Sequence, residues 1–181
     1  MSVGLRMRRL ALRPFARFVL CLLAGVGGWT GPAPAQTGIT TGITTGIAMV
    51  RPDGAVGRTL SAAEIEALPA GRIRTATPWS EKSDFDGPPL TDVLKLAGLW
   101  PAGAGATVVL TAADDYTVRI PLADIERLKP ILAHRQDGKP LSLRTRGPYW
   151  LIFPFDDTPA IQNDLWYYRA IWQIIRIAVT P

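Results

Sequence analysis

The chain of 181 residues has very few of the side chains that redox and metal sites use: one cysteine, Cys21, and one histidine, His134. A single cysteine cannot form an internal disulfide or hold an iron–sulfur cluster. A single histidine cannot provide a zinc or copper site built mainly on imidazoles. The sequence also has no GxSxG and no P-loop motif, which removes two common signatures of hydrolases and nucleotide-binding proteins.

A second shortage is net charge outside the N-terminal segment. The chain has 20 Lys and Arg residues against 15 Asp and Glu residues, which gives a formal charge of +5. Arginines at 6, 8, 9, 13 and 17 account for this excess, because residues 1–35 contain no acidic side chain. Binding to nucleic acid needs a basic face in the folded part, and no basic run marks one here.

Residues 1–35 have the composition of a signal peptide. A basic region at 6–17 is followed by the apolar run FVLCLLAGV at 18–26 and by small residues that end at Ala35. This order predicts cleavage after Ala35 and export to the periplasm. Because Cys21 would be removed with the signal, the mature chain is expected to have no thiol for catalysis.

Two alternatives stay open for this segment. It could remain as a membrane anchor, although the apolar run is shorter than the roughly 20 residues that a spanning helix needs. The pair Arg8-Arg9 is compatible with twin-arginine export, although no hydrophobic pair follows at the expected offset.

Residues 36–47 form a low-complexity segment in which Thr, Gly and Ile repeat. The segment is too short for a solenoid, and it predicts a flexible or extended lead-in. Its β-branched residues leave an edge strand open as an alternative. The folded domain is predicted at residues 48–181, a length that can bury a core.

Short helices and strands are predicted along this domain without a regular alternation. Ser61 and Glu64 form a capping-box pattern, and Gly98 is a helix stop signal. The runs on either side of residues 113–115 predict a β-hairpin. This mixture is typical of an α+β fold in a single domain. Helices are predicted at 62–68, 89–97 and 121–128, and strands at 72–77, 107–112, 116–120, 130–133, 149–153 and 172–179.

Five stretches of the domain occur in the order found in the sulfite-oxidase family. The sequence FDGPPLTDVL at 85–94 resembles the family's W-x-G-x-P-L-x-D-L-L stretch. The other pieces are DY and IPL within 115–122, DGKPL at 137–141, GP and LIFP within 147–154, and the last strand at 171–179. Together they resemble the family in order as well as composition, which implies its molybdopterin-binding fold of mixed β-sheets and short helices.

The resemblance fails at the residue that holds the metal. Members of this family bind molybdenum through a pyranopterin dithiolene and through the cysteine of a C-x-x-x-W-S pattern. Here Thr75 precedes the retained Trp79-Ser80 at that spacing, so a hydroxyl stands where a thiolate is expected. A hard, barely acidic hydroxyl cannot replace a soft thiolate as a molybdenum ligand. We therefore expect no molybdenum and predict that the chain is not an enzyme.

The missing cysteine, the single domain and the signal peptide resemble a subset of small exported proteins with this fold. Those proteins bind a free reduced pterin, a tetrahydro- or dihydropterin such as monapterin or biopterin. They act on the periplasmic domain of a membrane-bound diguanylate cyclase or phosphodiesterase, so the resemblance implies a pterin sensor that regulates a cyclic-di-GMP enzyme. Two other interpretations stay open: a molybdopterin-dependent oxidoreductase with an atypical metal ligand, and an interaction module whose pocket has decayed.

A pterin is flat and presents N–H donors at its amino-pyrimidinone edge, so its site needs aromatic walls, a carboxylate and further donors. The segment 144–169 contains all of these residue types. Within it, Asp156 and Asp157 are the predicted edge readers. Tyr168-Arg169 falls where the family has an aromatic–lysine pair, and it resembles a retained basic contact.

Several candidates have an ordinary structural alternative. Along 149–153 the aromatic residues alternate, so Trp150 could pack in the core. Asp156 could be a turn residue, Trp172 is assigned to the core, and Trp166 is placed in a polar loop. The candidate ligand-binding residues are Arg74, Thr75, Trp79, Tyr116, Arg144, Arg146, Trp150, Asp156, Asp157, Trp166, Tyr168 and Arg169.

Overall fold

The computed structural model describes residues 46–100, 103 and 105–181. The predicted signal peptide and most of the predicted lead-in lie outside the described residues. The first strand begins at Ile47, the residue predicted to end the lead-in. Within the described part of the chain, no helix is long and apolar enough to cross a membrane.

Short helices lie among β-strands, which confirms the α+β prediction. The first helix begins with the predicted capping box, in which Ser61 Oγ accepts from the Glu64 N–H and the Glu64 carboxylate accepts from the Ser61 N–H. The strands are β1 (Ile47–Val50), β2 (Val56–Leu60), β3 (Gly71–Thr77), β4 (Ser80–Gly87), β5 (Thr107–Ala112), β6 (Thr117–Pro121), β7 (Ile131–Ala133), β8 (Arg135–Gln136), β9 (Lys139–Pro140), β10 (Trp150–Ile152) and β11 (Ile174–Thr180). The α-helices are α1 (Ala62–Glu66), α2 (Leu90–Leu96), α3 (Leu122–Leu128) and α4 (Asp164–Arg169), and a 3-10 turn spans Pro159–Ile161.

The largest sheet has the strand order β2-β1-β11-β5-β6. Strand β1 runs parallel to β11, and the other neighbours in this sheet are antiparallel. A second sheet has the order β3-β4-β8-β9, and β10 pairs with β7. The predicted hairpin is therefore present as β5 and β6, and it forms one edge of the largest sheet.

Strand β10 is buried on both faces because it lies between two hydrophobic clusters. Tyr149, Leu151 and Phe153 belong to the larger cluster, whereas Trp150 and Ile152 belong to the smaller one. This period of two confirms the predicted division of the segment into two faces. The aromatic side chains along β10 therefore pack the core.

The sequence pattern indicates no strand at residues 80–87, where the structure has β4. Among its buried positions, Phe85 is the single large apolar side chain, beside Ser83 and Gly87. The strand forms because it pairs with β3, and the ion pair between Arg72 Nε and Asp86 Oδ1, at 2.6 Å, joins the two strands. Tertiary pairing thus determines a segment whose own β propensity is weak.

The prediction that Trp166 lies in a polar loop is wrong, because residues Asp164–Arg169 form α4. Asn163 caps this helix, and its Oδ1 accepts from the Trp166 N–H at 3.4 Å. Trp166 is buried, and its ring packs against Phe153 with centroids 5.4 Å apart. Asparagine is a favoured N-cap residue, so Asn163 indicates a helix start. The polar residues around it are equally typical of a loop.

Candidate functional site

A cleft lined largely by aromatic side chains opens where α4 contacts the β5–β6 hairpin. Its volume is about 280 Å³. Trp79 reaches it from the turn between β3 and β4, and Trp172 from the segment between α4 and β11. We call it the aromatic cleft. Its lining residues are Trp79, Ala112, Asp114, Tyr116, Tyr168, Ala170, Ile171 and Trp172.

Edge-to-face contacts hold the two tryptophan walls of the aromatic cleft. The ring centroids of Trp79 and Trp172 are 5.1 Å apart, with an interplanar angle of 76°. Trp172 in turn lies 6.1 Å from the buried ring of Trp150, at 89°. Aromatic pairs prefer this geometry, which restricts the orientation of each ring. The cleft therefore has a rigid apolar wall on which a flat heterocycle can stack.

Arg146 supports the same wall. Its guanidinium lies 4.9 Å from the centre of the Trp150 ring and 5.5 Å from that of Trp172. Burial lowers the pKa of Arg146, yet an arginine remains charged at neutral pH, and the rings stabilise this cation through their faces. Within the described residues, Arg146 forms no ion pair with a carboxylate, so its contacts with the two tryptophans are its main partners.

A hydrogen bond ties the hairpin to α4 at the cleft. The Tyr116 hydroxyl donates to the carbonyl oxygen of Tyr168 at 3.1 Å. Burial raises the pKa of Tyr116, with smaller contributions from Tyr168 and Asp114, so its phenol stays protonated and able to donate. Both tyrosines remain partly exposed, which leaves their rings accessible to a ligand.

Thr75, the residue predicted to stand where the family has its metal-binding cysteine, is fully buried and hydrogen-bonded. Its Oγ1 accepts from the Asp156 N–H at 3.1 Å and lies 3.3 Å from Asp156 Oδ1, to which it can donate. The Ala76 N–H also donates to Asp156 Oδ1, at 3.2 Å. On the other oxygen, Asp156 Oδ2 pairs with Lys82 Nζ at 2.8 Å. Thr75, Asp156 and Lys82 thus form a closed polar network at this position.

The hydrogen bond from Lys82, followed by that from the Ala76 N–H, lowers the pKa of Asp156 below its ordinary value. An ionised carboxylate with a depressed folded-state pKa stabilises the fold above the unfolded-state value of about 4, and this contribution is lost as the pH falls through the folded-state pKa. The network therefore adds stability at neutral pH and loses it in acid.

Asp156→Asn should lower the free energy of unfolding at pH 7 by up to about 1 kcal/mol, because it removes the pairing with Lys82 but keeps an acceptor for the Ala76 N–H. The difference from the wild type should shrink progressively below about pH 4. Urea unfolding across this pH range measures it. Asp157→Asn, at the exposed neighbouring residue, is the matched control and should change little. A deficit that stayed constant into acid would contradict the role of the ionised carboxylate.

A second cleft, of about 270 Å³, adjoins this network. Two of its polar side chains are already engaged: Asp156 bonds Lys82 and Thr75, and Gln162 Nε2 donates to the carbonyl oxygen of Phe155 at 2.8 Å. Although its volume is similar to that of the aromatic cleft, few of its polar groups remain free to bind a ligand. Its lining residues are Ala76, Thr77, Pro78, Phe155, Asp156, Gln162 and Tyr167.

The structure brings some of the predicted site residues together and separates others. Trp79, Tyr116 and Tyr168 meet in the aromatic cleft. Arg169 points elsewhere, since its guanidinium lies 4.4 Å over the ring of Trp166. Of the remaining candidates, Trp150 and Trp166 are buried in the core, and Arg74, Arg144 and Asp157 are exposed away from the lining of the cleft.

Among the lining residues absent from the sequence-based candidates, Asp114 and Trp172 have side chains that can bind a ligand by charge or stacking. Trp172 was assigned to the core because it lies at the start of a strand pattern, but it is only half-buried and lines the cleft. Asp114 lies two residues before Tyr116 in the hairpin turn. Because Tyr116 was a candidate, its neighbours in this turn could also have been considered as lining residues.

The residues around Thr75 do not fit a molybdenum that takes a protein thiolate. The hydroxyl is buried and already bonded, and the charge next to it is the carboxylate of Asp156, itself paired with Lys82. Over residues 46–100, 103 and 105–181, no group of three or more His, Cys, Asp or Glu side chains could hold a metal ion. The aromatic cleft, in contrast, suits the flat ring of a pterin.

Comparison with known proteins identifies the fold. The chain is similar to the solved structure of the sulfane dehydrogenase SoxCD from Paracoccus pantotrophus, with a TM-score of 0.53 and 12% sequence identity. The match covers 75% of this chain but 38% of that chain, so the likeness concerns a part of a longer protein. A search of curated sequences gave no significant match. The family model of the oxidoreductase molybdopterin binding domain matches residues 58–155, more than half of the chain. The chain therefore belongs to the oxidoreductase molybdopterin-binding domain family and has its sulfite-oxidase-type fold.

Proposed function

We propose that this member of the molybdopterin-binding domain family binds a free reduced pterin in the aromatic cleft, holds no molybdenum and is not a redox enzyme. The observation that carries the proposal is the closed network at Thr75. Where a thiolate would be needed, the chain has a buried hydroxyl that accepts from the Asp156 N–H and can donate to Asp156 Oδ1. The protein thus keeps the family's fold without the donor that holds the metal.

The aromatic cleft supports the pterin part of the proposal. A bicyclic pterin needs apolar faces on both sides and a few polar groups at its edge. Trp79 and Trp172 supply a rigid wall, and Tyr116 and Tyr168 supply two further rings. Stacking on such rings is worth about 1–3 kcal/mol for each heterocycle contact and depends little on substituents.

The experiment that tests this proposal identifies whatever the protein carries when it is purified. The full chain is produced in a host that makes pterins and molybdopterin, and the bound small molecule is released by denaturation under nitrogen. Its mass and fluorescence are then recorded, and molybdenum is measured in the same sample. A dihydro- or tetrahydropterin without metal is the expected result.

Molybdenum near one atom per chain would overturn the proposal. It would favour the second candidate, a molybdopterin-dependent oxidoreductase with an atypical metal ligand. The match to the oxidoreductase family model supports this candidate. A chain that carries no pterin and binds none on titration would also overturn it, and would favour an interaction module without a ligand.

Replacing Thr75 with cysteine supplies the missing thiol, yet we expect no molybdenum to be retained. The new thiol would be buried next to the Asp156 carboxylate, and both burial and a neighbouring negative charge raise a thiol pKa and disfavour the thiolate that binds metal. Metal analysis of the variant, purified beside the wild type from the same host, measures this. Recovery of molybdenum by the single substitution would show that Thr75 alone accounts for the loss.

We further propose that the pterin-bound form acts in the periplasm on the periplasmic domain of a membrane-bound diguanylate cyclase or phosphodiesterase. The sequence resemblance to pterin-binding signalling proteins supports this proposal, as do two exposed apolar side chains on α4. Tyr168, which lines the cleft, is 63% exposed and Leu165 is 59% exposed, and adjacent exposed apolar side chains suit a protein contact.

Cellular cyclic di-GMP tests this signalling role. Deleting the gene should change the cyclic-di-GMP level, and the wild-type chain should restore it. The Trp172→Ala variant, which we expect to bind the pterin about 10- to 100-fold more weakly, should restore it less well than the wild-type chain. An unchanged cyclic-di-GMP level after deletion would contradict the proposed partner.

Sequencing the N terminus of the exported protein tests the predicted cleavage after Ala35. A mature N terminus other than Gln36 would contradict that cleavage site.

A further inference from the structure

Among the described residues that line the aromatic cleft, one side chain is charged, and it is acidic. This residue is Asp114, in the turn between β5 and β6, and no lysine, arginine or histidine is among the described lining residues. The cleft is therefore a site for ligands that donate hydrogen bonds or carry positive charge, and a poor site for an anion.

The turn that carries Asp114 is held in place from both sides. The Ala112 N–H donates to the Tyr116 carbonyl oxygen at 2.8 Å, and the Asp115 N–H donates to the Ala112 carbonyl oxygen at 3.1 Å. The Ala113 N–H donates to the carbonyl oxygen of Gln173, next to Trp172, at 3.0 Å. These bonds fix the backbone of the turn relative to Trp172 before any ligand arrives, so the turn itself loses little entropy on binding.

The carboxylate of Asp114 retains accepting capacity. Its Oδ1 accepts from the Tyr116 N–H at 3.1 Å. Within the described part of the chain, its Oδ2 accepts no hydrogen bond and Asp114 joins no ion pair. Asp156, the edge reader expected from the sequence, differs in this respect because its oxygens already accept from Lys82, Ala76 and Thr75.

We infer that Asp114 is the specificity-determining residue of the aromatic cleft, where it accepts the N–H donors of a 2-amino-4-oxopyrimidine edge and disfavours phosphorylated ligands. The inference rests on the proposed pterin-binding function and names the group that reads the ligand. A pterin presents its ring N–H and its amino group side by side, and one carboxylate can accept both in parallel. A phosphate ester would bring a second negative charge to a cleft in which none of the described lining residues is a cation.

The 2-amino-4-oxopyrimidine edge is also present in guanine, so the test must distinguish pterins from guanine compounds. The probes are 7,8-dihydrobiopterin, neopterin, neopterin monophosphate and guanosine, each titrated under nitrogen into the purified full chain and followed by calorimetry. The wild type should bind dihydrobiopterin and neopterin, and it should bind the monophosphate at least about tenfold more weakly than neopterin.

Asp114→Asn is the variant to compare, because its amide oxygen can still accept from the Tyr116 N–H and keep the turn. It should lower the affinity for dihydrobiopterin about tenfold or more, since charge-assisted hydrogen bonds are roughly twice as strong as neutral ones. It should also reduce the difference in affinity between neopterin and neopterin monophosphate. Asp115→Asn is the matched control, because Asp115 is exposed in the same turn but does not line the cleft.

The outcomes separate this inference from the proposed function. If the wild type binds pterins and Asp114→Asn binds them equally well, Asp114 is not the edge reader, although pterin binding stands. Tighter binding of the monophosphate than of neopterin would likewise overturn the inference and direct attention to Arg146. If no pterin binds, the proposed function itself fails. If guanosine binds better than every pterin and loses affinity in Asp114→Asn, the edge reading is supported, but the ligand is a guanine compound.

Discussion

Trp172→Ala should lower the affinity for dihydrobiopterin by about 10- to 100-fold, because it removes a stacking wall of the aromatic cleft. Loss of one aromatic platform costs about 1–3 kcal/mol, and each 1.4 kcal/mol is about tenfold in affinity. The substitution also frees Trp79, whose ring packs edge-on against Trp172 at 5.1 Å, so both tryptophan walls are affected. Calorimetric titration of the variant and the wild type measures the change.

Two further variants separate stacking from general damage to the fold. Trp172→Phe keeps an aromatic face and should retain most of the affinity. Trp100→Ala removes a tryptophan that packs against the larger core cluster outside the cleft, and it should leave the affinity unchanged. If Trp172→Ala and Trp100→Ala reduced binding equally, the loss would reflect stability and not contact with the ligand.

Trp150→Ala should lower the free energy of unfolding by about 3–5 kcal/mol, the usual cost of truncating a buried tryptophan. Trp150 has no exposed surface, and it packs edge-on against Phe85 and Trp172. Domains of this size are stable by about 5–15 kcal/mol, so the variant would lose a large share of that stability. Urea unfolding followed by far-UV circular dichroism gives the value.

Trp150→Phe divides this effect into packing and hydrogen bonding. It keeps a ring in the core but removes the indole N–H, which donates to the carbonyl oxygen of Ala170 at 2.9 Å. The buried carbonyl would be left without this donor, and we expect a cost of about 1–3 kcal/mol. Because Ala170 lines the aromatic cleft, a moderate loss of pterin affinity should accompany it. A Trp150→Ala protein of unchanged stability that failed to bind pterin would instead make Trp150 a ligand contact.

The predictable parts of the fold are those with a strong local signal. The capping box at Ser61, the hairpin of β5 and β6 and the alternation along β10 each depend on neighbouring residues, and each is present in the structure. Strand β4 depends on its partner β3 for its formation, so its polar sequence gave no such signal. Helix α4 starts at an asparagine cap that also fits a loop, and local chemistry did not decide between the two.

The candidate site also depends on contacts between residues that are distant in sequence. Its residue types could be named from the sequence, since Trp79, Tyr116 and Tyr168 all line the cleft. Which carboxylate was unpaired could not be foreseen, because Lys82 lies on β4, far in sequence from Asp156 in the turn after β10. Asp114 was overlooked in a turn, where an aspartate usually has only a backbone role. Side-chain partners that are distant in sequence thus decide which charged groups remain for a ligand.

The pairing of β1 with β11 has a consequence for the biogenesis of the protein. These strands, at Ile47–Val50 and Ile174–Thr180, come from opposite ends of the domain and lie side by side inside the largest sheet. The ribosome must finish almost the whole domain before this sheet can close, and contacts so far apart in sequence form slowly. The largest sheet can therefore close only after the C-terminal strand has been synthesised, whereas β3 and β4, which are adjacent in sequence, can pair earlier.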